Sequence, residues 1–181
     1  MEALVFFFAF ALYIFVGVLL GGGESAWDKQ KRKYQTGSRL REQGKREEAR
    51  LFFLNELKFH PYDGFLLVGL GELALEEGNP DQALAYAQKA LKLESTVAEP
   101  HLLLSKGLHA IGEFDLAMLN ARKASWFGRK HAEANRWYGL LLLESGEVER
   151  GMDFLEAGFN HEHSMRRNLL LENPASPTKR N

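Results

Sequence analysis

The chain has 181 residues, 45% of them hydrophobic and 26% charged, with a formal net charge of −1 and no cysteine. That balance fits a folded module, and its bulk charge names no nucleic-acid partner. The lack of cysteine excludes disulfides, thiolate metal sites and cysteine nucleophiles.

The N-terminal stretch from Ala3 to Leu20 carries no charge and holds five phenylalanines, Phe6, Phe7, Phe8, Phe10 and Phe15. Helical rise of about 1.5 Å per residue takes such a stretch about 27 Å, close to the ~30 Å hydrocarbon core. Residues 1–23 are therefore expected to form a transmembrane anchor, contacting the membrane through residues 3–20. A cleaved secretory signal is the competing reading. Against it, the chain opens Met1-Glu2 without a cation, and the apolar stretch exceeds the ~7–15 residues of a signal core. For it, Gly21, Gly22 and Gly23 would suit a cleavage site. A basic linker starts at 24–29, and residues 24–50 hold nine Lys/Arg against five Asp/Glu, among them Lys29, Lys31, Arg32 and Lys33. The positive-inside bias then puts the remainder on the cytoplasmic, or stroma-like, side of a single-pass membrane protein.

Beyond this stretch the chain repeats. Gly44, Gly78, Gly112 and Gly146 stand 34 residues apart, a length that holds a helix pair with its turns. Seven residues before each glycine stands a small residue: Gly37, Gly71, Ser105 and Gly139. Five residues after it stand Ala49, Ala83, Ala117 and Gly151, and four further Phe53, Ala87, Ala121 and Leu155. The small positions allow close helix approach. Each in-phase glycine is expected to end the first helix of its pair in the left-handed cap. Asn79 is then placed to cap the next helix, with Pro80 in its first turn. Leu66, Leu67, Leu70, Leu73, Leu103, Leu104 and Leu108 follow helical spacing and are expected in the core.

These residues resemble the tetratricopeptide repeat (TPR) family: its Leu-Gly pair appears as Leu70-Gly71, its Ala-x-x-x-Phe as Ala49 to Phe53, and its closing proline as Pro61. The resemblance implies an all-α fold, a right-handed α-solenoid of about four helix pairs over 30–63, 64–97, 98–131 and 132–165. Met165, Leu169, Leu170 and Leu171 are expected to form a short capping helix, and 166–181 to hold that helix and a flexible tail ending in Pro177 and Lys179-Arg180.

In TPR proteins the first helix of each repeat lines a concave groove. Carried over, the groove phase gives Lys31, Tyr34, Ser38 and Arg41, then Phe65, Val68, Glu72 and Leu75. Glu99, Leu102, Lys106 and His109 follow, then Glu133, Arg136, Leu140 and Leu143. Phe65, Val68 and Leu102 are expected as apolar anchors, with Tyr34, Glu72, Lys106, His109, Glu133 and Arg136 as polar contacts. The carboxylate clamp of TPR co-chaperones is not matched, because its lysine, asparagine and arginine positions hold Tyr34, Ser38, Gly69, Glu99 and Leu103. Trp126 takes a second-helix phase held by Lys58 and Lys92 in earlier repeats, which points it to solvent on the convex side as a candidate interface. Trp137 either walls the groove or packs into the next layer.

No catalytic chemistry is legible. The Gly21 to Gly23 run lacks a P-loop ending, and no His-Glu-x-x-His spacing exists. His161-Glu162-His163 reads as a solvated polar end rather than a metal site. His101 and His109, eight apart, fit one helix face. The expectation is a membrane-tethered TPR scaffold that binds a peptide or helix of another protein, in assembly or quality control of a membrane complex. No catalytic residue, metal, cofactor, nucleic acid or small-molecule substrate is expected. The alternatives are a permanent accessory subunit of a larger membrane complex and an exported binding protein.

Overall fold

A computed structural model describes residues 25–172, with residues 161–172 described as backbone alone. Eight helices follow one another among the described residues: α1 (Ala26–Glu42), α2 (Arg46–Phe59), α3 (Gly64–Glu76), α4 (Pro80–Leu93), α5 (Ala98–Ala110), α6 (Phe114–Phe127), α7 (Ala132–Glu144) and α8 (Val148–Glu172). They pair as α1/α2, α3/α4, α5/α6 and α7/α8.

The turn inside each pair is the same device four times. Gly44, Gly78, Gly112 and Gly146 are the only positive-φ residues among those described, with φ of 77°, 75°, 84° and 88°. Each sits two residues beyond the last residue of its helix, just after the C-cap. At the first, Gly44 N–H donates to the Arg41 carbonyl and Lys45 N–H to the Leu40 carbonyl, at 2.9 Å each. This double closure satisfies carbonyls that the helix leaves orphaned. The same two bonds recur at Gly78, Gly112 and Gly146. Asn79 is the N-cap of α4 and Pro80 its first residue, although the Asn79 side chain makes no capping bond. Asp63, which carries no repeat signature, caps α3 instead, its Oδ1 accepting from Phe65 N–H and Leu66 N–H at 3.1 and 3.3 Å.

Within each pair the small residues bring the helices together. Ala49, Ala83, Ala117, Ala87 and Ala121 have no exposed surface. At the Gly139–Gly151 crossing backbone meets backbone: a Cβ on Gly139 would stand 2.8 Å from the Gly151 carbonyl oxygen. Ser105, the one larger residue in the small series, donates its hydroxyl to the Ala117 carbonyl at 2.7 Å. Leu66, Leu70, Leu73 and Leu103 are buried, and Leu67, Leu104 and Leu108 are half-buried against them.

Packing between pairs fixes the curvature. Each second helix packs on the next first helix, and the first helices α1, α3, α5 and α7 also touch in sequence, whereas no two second helices meet among the described residues. Four elements that touch on one side and splay on the other form an arc, with α1, α3, α5 and α7 inside.

Three expectations require correction. The stretch 3–20 lies outside the described residues, and among the described residues no helix is long and apolar enough to cross a membrane. The most apolar helix, α3, has only 13 residues, about 20 Å at helical rise, and the 25-residue α8 carries Glu149, Arg150, Asp153 and Glu156, too many charges for a span. The transmembrane helix, the single-pass membrane localisation and the membrane contact are withdrawn with it. A separate capping helix is also absent from the described residues: α8 runs unbroken from Val148 to Glu172, because nothing before Pro174 interrupts it. The first helix begins at Ala26, with Ser25 and Asp28 forming a reciprocal capping box, so most of the expected 24–29 linker is helical.

Candidate protein-binding surface

The inner face of the arc carries two clusters of polar side chains. Tyr34 on α1 donates its hydroxyl to Glu72 Oε1 on α3 at 2.9 Å. Arg41, two turns along α1, places Nη2 3.2 Å from Glu72 Oε2 and Nη1 3.0 Å from Glu76 Oε1. Arg46 reaches the other Glu76 oxygen at 3.1 Å. Toward the far end, Lys106 on α5 pairs with Glu133 on α7 at 2.5 Å, and His109 Nε2 stands 3.0 Å from Glu144 Oε2. Trp137 lies beside both, its Nε1–H donating to Ser105 Oγ at 2.8 Å, with Lys106 5.9 Å above its ring and His109 edge-on at 5.4 Å. It both packs between α5 and α7 and shows its ring to the inner surface.

The charges of the two clusters influence each other. Burial raises the Glu72 carboxyl above its ordinary 4.5 against the pull of Arg41, and Glu133 adds to the rise. Burial likewise raises the Tyr34 hydroxyl, with Glu72 and Glu133 next. Glu133 moves the other way: burial opposes its charge, but Lys106, then His131 and Arg41, hold its pKa down. A carboxyl raised on folding binds more protons in the folded state, so its stabilisation is complete below the unfolded pKa and is lost as pH rises through the folded one. Glu72→Gln removes that titration. Wild type is therefore expected to lose stability relative to Glu72→Gln as pH rises from about 4 to about 7, in urea melts taken across that range. Glu133 has the opposite sign, its stabilisation being lost only on acidification. A difference that grows in favour of wild type with pH would contradict the burial of Glu72.

The residues expected in the groove divide into three groups. Tyr34 and Glu72 meet in one cluster, Lys106 and Glu133 in a second, and His109 adjoins the second through Trp137. Phe65, Val68 and Leu102, expected as exposed anchors, are buried, at 1%, 1% and 3% exposure. Phe65 lies under Trp27 and Tyr34, ring centroids 6.0 Å away in each case, Val68 joins the core with Ala87 and Leu103, and Leu102 packs with Ala98, Ala124 and Ala134. Neighbouring inner helices cover this phase, so these three residues hold the arc together instead of lining it. Arg136 leans on α8, its guanidinium 5.8 Å over Phe159. Leu140, at 49% exposure, is an apolar residue left accessible on α7.

His101 and His109 do not share a site. His101 is buried against α6, stacked on Phe127 at 5.4 Å, whereas His109 joins Trp137. Ser38 Oγ and Arg41 Nε are buried without a hydrogen-bond partner, while Glu72 Oε2 has only the ion pair with Arg41. Trp27, which the repeat does not mark, covers Phe65 with Lys31 4.7 Å over its ring. Its signal in the sequence is only an aromatic four residues before a lysine in an otherwise polar helix. Among the described residues no cluster of three His, Asp or Glu side chains is placed to hold a metal. The side chains of His161 and His163 lie outside the described residues.

No protein-family model matches this sequence, and no curated protein matches it significantly. Solved structures are similar in fold. The crystal structure of MamA is 24% identical, over 72% of this chain and 77% of that one, with a TM-score of 0.54. A thermophilic TPR protein of Thermus thermophilus is 19% identical, over 74% and 75%, with a TM-score of 0.64. The pilF protein of Pseudomonas aeruginosa is 18% identical, over 74% of this chain and 61% of that one, with a TM-score of 0.61. The class is therefore a TPR-like helical array. At these identities the likeness establishes the fold and leaves the partner open.

Proposed function

We propose that the protein is a TPR-like scaffold that holds a segment of another protein against the inner face of its arc. The observation that carries this reading is the mutual contact of α1, α3, α5 and α7, which gathers Arg41, Lys106, His109, Glu133 and Leu140 onto one accessible surface from three repeats. Accessible groups of both charge signs, an aromatic wall at Trp137 and an apolar residue at Leu140 suit a peptide or helix, which needs orientation as well as burial. This reading requires no membrane tether.

Site-specific photocrosslinking in cells tests it. A photoreactive residue at His109 or Leu140 is expected to yield one dominant protein adduct, and one at Leu116 on the outer side to yield none of it. Equal capture at Leu116 would refute the inner-face assignment.

A further inference from the structure

We infer that the surface around Trp126 is a second docking site, for a short acidic segment of another protein that carries one bulky apolar side chain. Trp126 ends α6 with 66% of its surface exposed, and the Arg129 guanidinium lies 4.9 Å from its ring centroid. Arg122 and Lys123 precede it by four and three residues, and Arg129 and Lys130 follow it by three and four. Helical spacing therefore puts the first pair of cations on its own face, while the turn after Phe127 brings round the second pair. Arg122, Lys123 and Lys130 are exposed and have no ion-pair partner among the described residues.

Three clefts meet at this tryptophan. The first is walled by His101, Phe127, Arg122 and Lys123, the second by Arg122, Arg129, Tyr138 and Phe154, and the third by Trp27, Lys31, Arg129 and Lys130. Among all the residues lining them, the only carboxylate is Glu99, which is buried and faces His131 Nε2 at 3.6 Å. In a chain of net charge −1 this is a local excess of cations that the overall balance conceals.

The first cleft is preformed. The His101 ring stacks on Phe127, its Nε2 stands 3.1 Å from the Ser95 carbonyl, and its Nδ1 stands 3.4 Å from Asn120 Oδ1. An apolar side chain entering between this stack and Trp126 would bury aromatic surface. Carboxylates on either side of it would then reach cations that have no internal pair to give up. Trp and Arg are the residues most enriched among interface hot spots. A walled cleft between cations fits a side chain, whereas a lipid surface or a nucleic-acid backbone would call for a flat or continuous cationic track. Trp126 and the four cations that flank it lie on α6 and the turn after it, so the proposal does not rest on the inner-face reading.

The test is a fluorescence-anisotropy titration of the full chain with a labelled peptide of about a dozen residues, Glu and Asp flanking one central phenylalanine. Binding is expected to weaken about tenfold when that phenylalanine is replaced by alanine. It is expected to fall by a similar factor for Trp126→Ala and for Arg122→Glu/Lys123→Glu, with an unchanged far-UV helical spectrum, and to be unaffected by Lys106→Glu. Equal binding of the two peptides, or binding that neither variant weakens, would overturn the proposal. So would tighter binding of a single-stranded oligonucleotide or of phosphatidylglycerol vesicles through the same residues.

Discussion

Phe53→Ala is expected to lower stability by about 3–5 kcal/mol, the cost of emptying a buried aromatic site whose walls cannot collapse. The ring is fully buried, and its position explains two glycines at once. A Cβ on Gly37 of α1 would stand 2.2 Å from Phe53 Cζ, and one on Gly69 of α3 would stand 2.3 Å from the same atom. The ring of α2 is thus clamped between α1 and α3, and it couples the first helix pair to the second. In an array where each repeat leans only on its neighbours, the loss should concentrate there. Hydrogen exchange is expected to accelerate across α1 and α2 well before α5 to α8. A urea titration showing a loss below about 1 kcal/mol would mean that the ring does not fill that slot.

Gly139→Val is the second large effect, with an expected loss of about 3 kcal/mol or more. Here the obstacle is backbone. A Cβ would lie 2.8 Å from the Gly151 carbonyl oxygen and 3.0 Å from the Leu155 amide nitrogen, neither of which can rotate away. Helices α7 and α8 must then separate, opening the last pair. Two milder glycine variants calibrate this. At Gly71 the closest atom is Leu103 Cδ2, at 2.4 Å, a methyl group with some freedom to turn. At Gly112 nothing lies within 4 Å, so Gly112→Ala carries only the strain of left-handed backbone, about 1–2 kcal/mol. Thermal melts are expected to place Gly139→Val lowest of the three. A Gly112 variant falling below it would show that caps, and not crossings, limit the array.

The glycine caps were legible because their chemistry is local: a turn that needs positive φ selects glycine wherever it falls, and a 34-residue spacing repeats the selection. The small positions at Ala49, Ala83 and Ala117 were legible for the same reason. The inner helices were legible only in part. Tyr34 bonds Glu72 and Lys106 pairs with Glu133, whereas Phe65, Val68 and Leu102 follow the same repeat phase and are covered. Whether that phase is open depends on how tightly successive inner helices close on each other, and a repeat period does not encode curvature. Arg136 escaped for a similar reason, since its long stem finds Gly158 and Phe159 on α8, a contact between helices. The capping segment was read as separate because the repeat count ended at 165, yet a helix stops only where something stops it. Trp126 announced itself by breaking the phase. The four cations at its flanks were equally readable, but a chain-wide charge count averages them away.

The central claim is that the inner face holds a partner, and an exchange of the Lys106–Glu133 pair tests it most directly. Lys106→Glu/Glu133→Lys keeps an ion pair between α5 and α7, so stability should be retained, while the polarity shown to a bound segment is inverted. With the partner segment identified by cross-linking at His109, calorimetric titration is expected to show about a thirtyfold loss of affinity, equivalent to about 2 kcal/mol. Unchanged affinity in this exchange, together with loss of the same partner in Trp126→Ala, would contradict the claim and move the functional surface to the outer side.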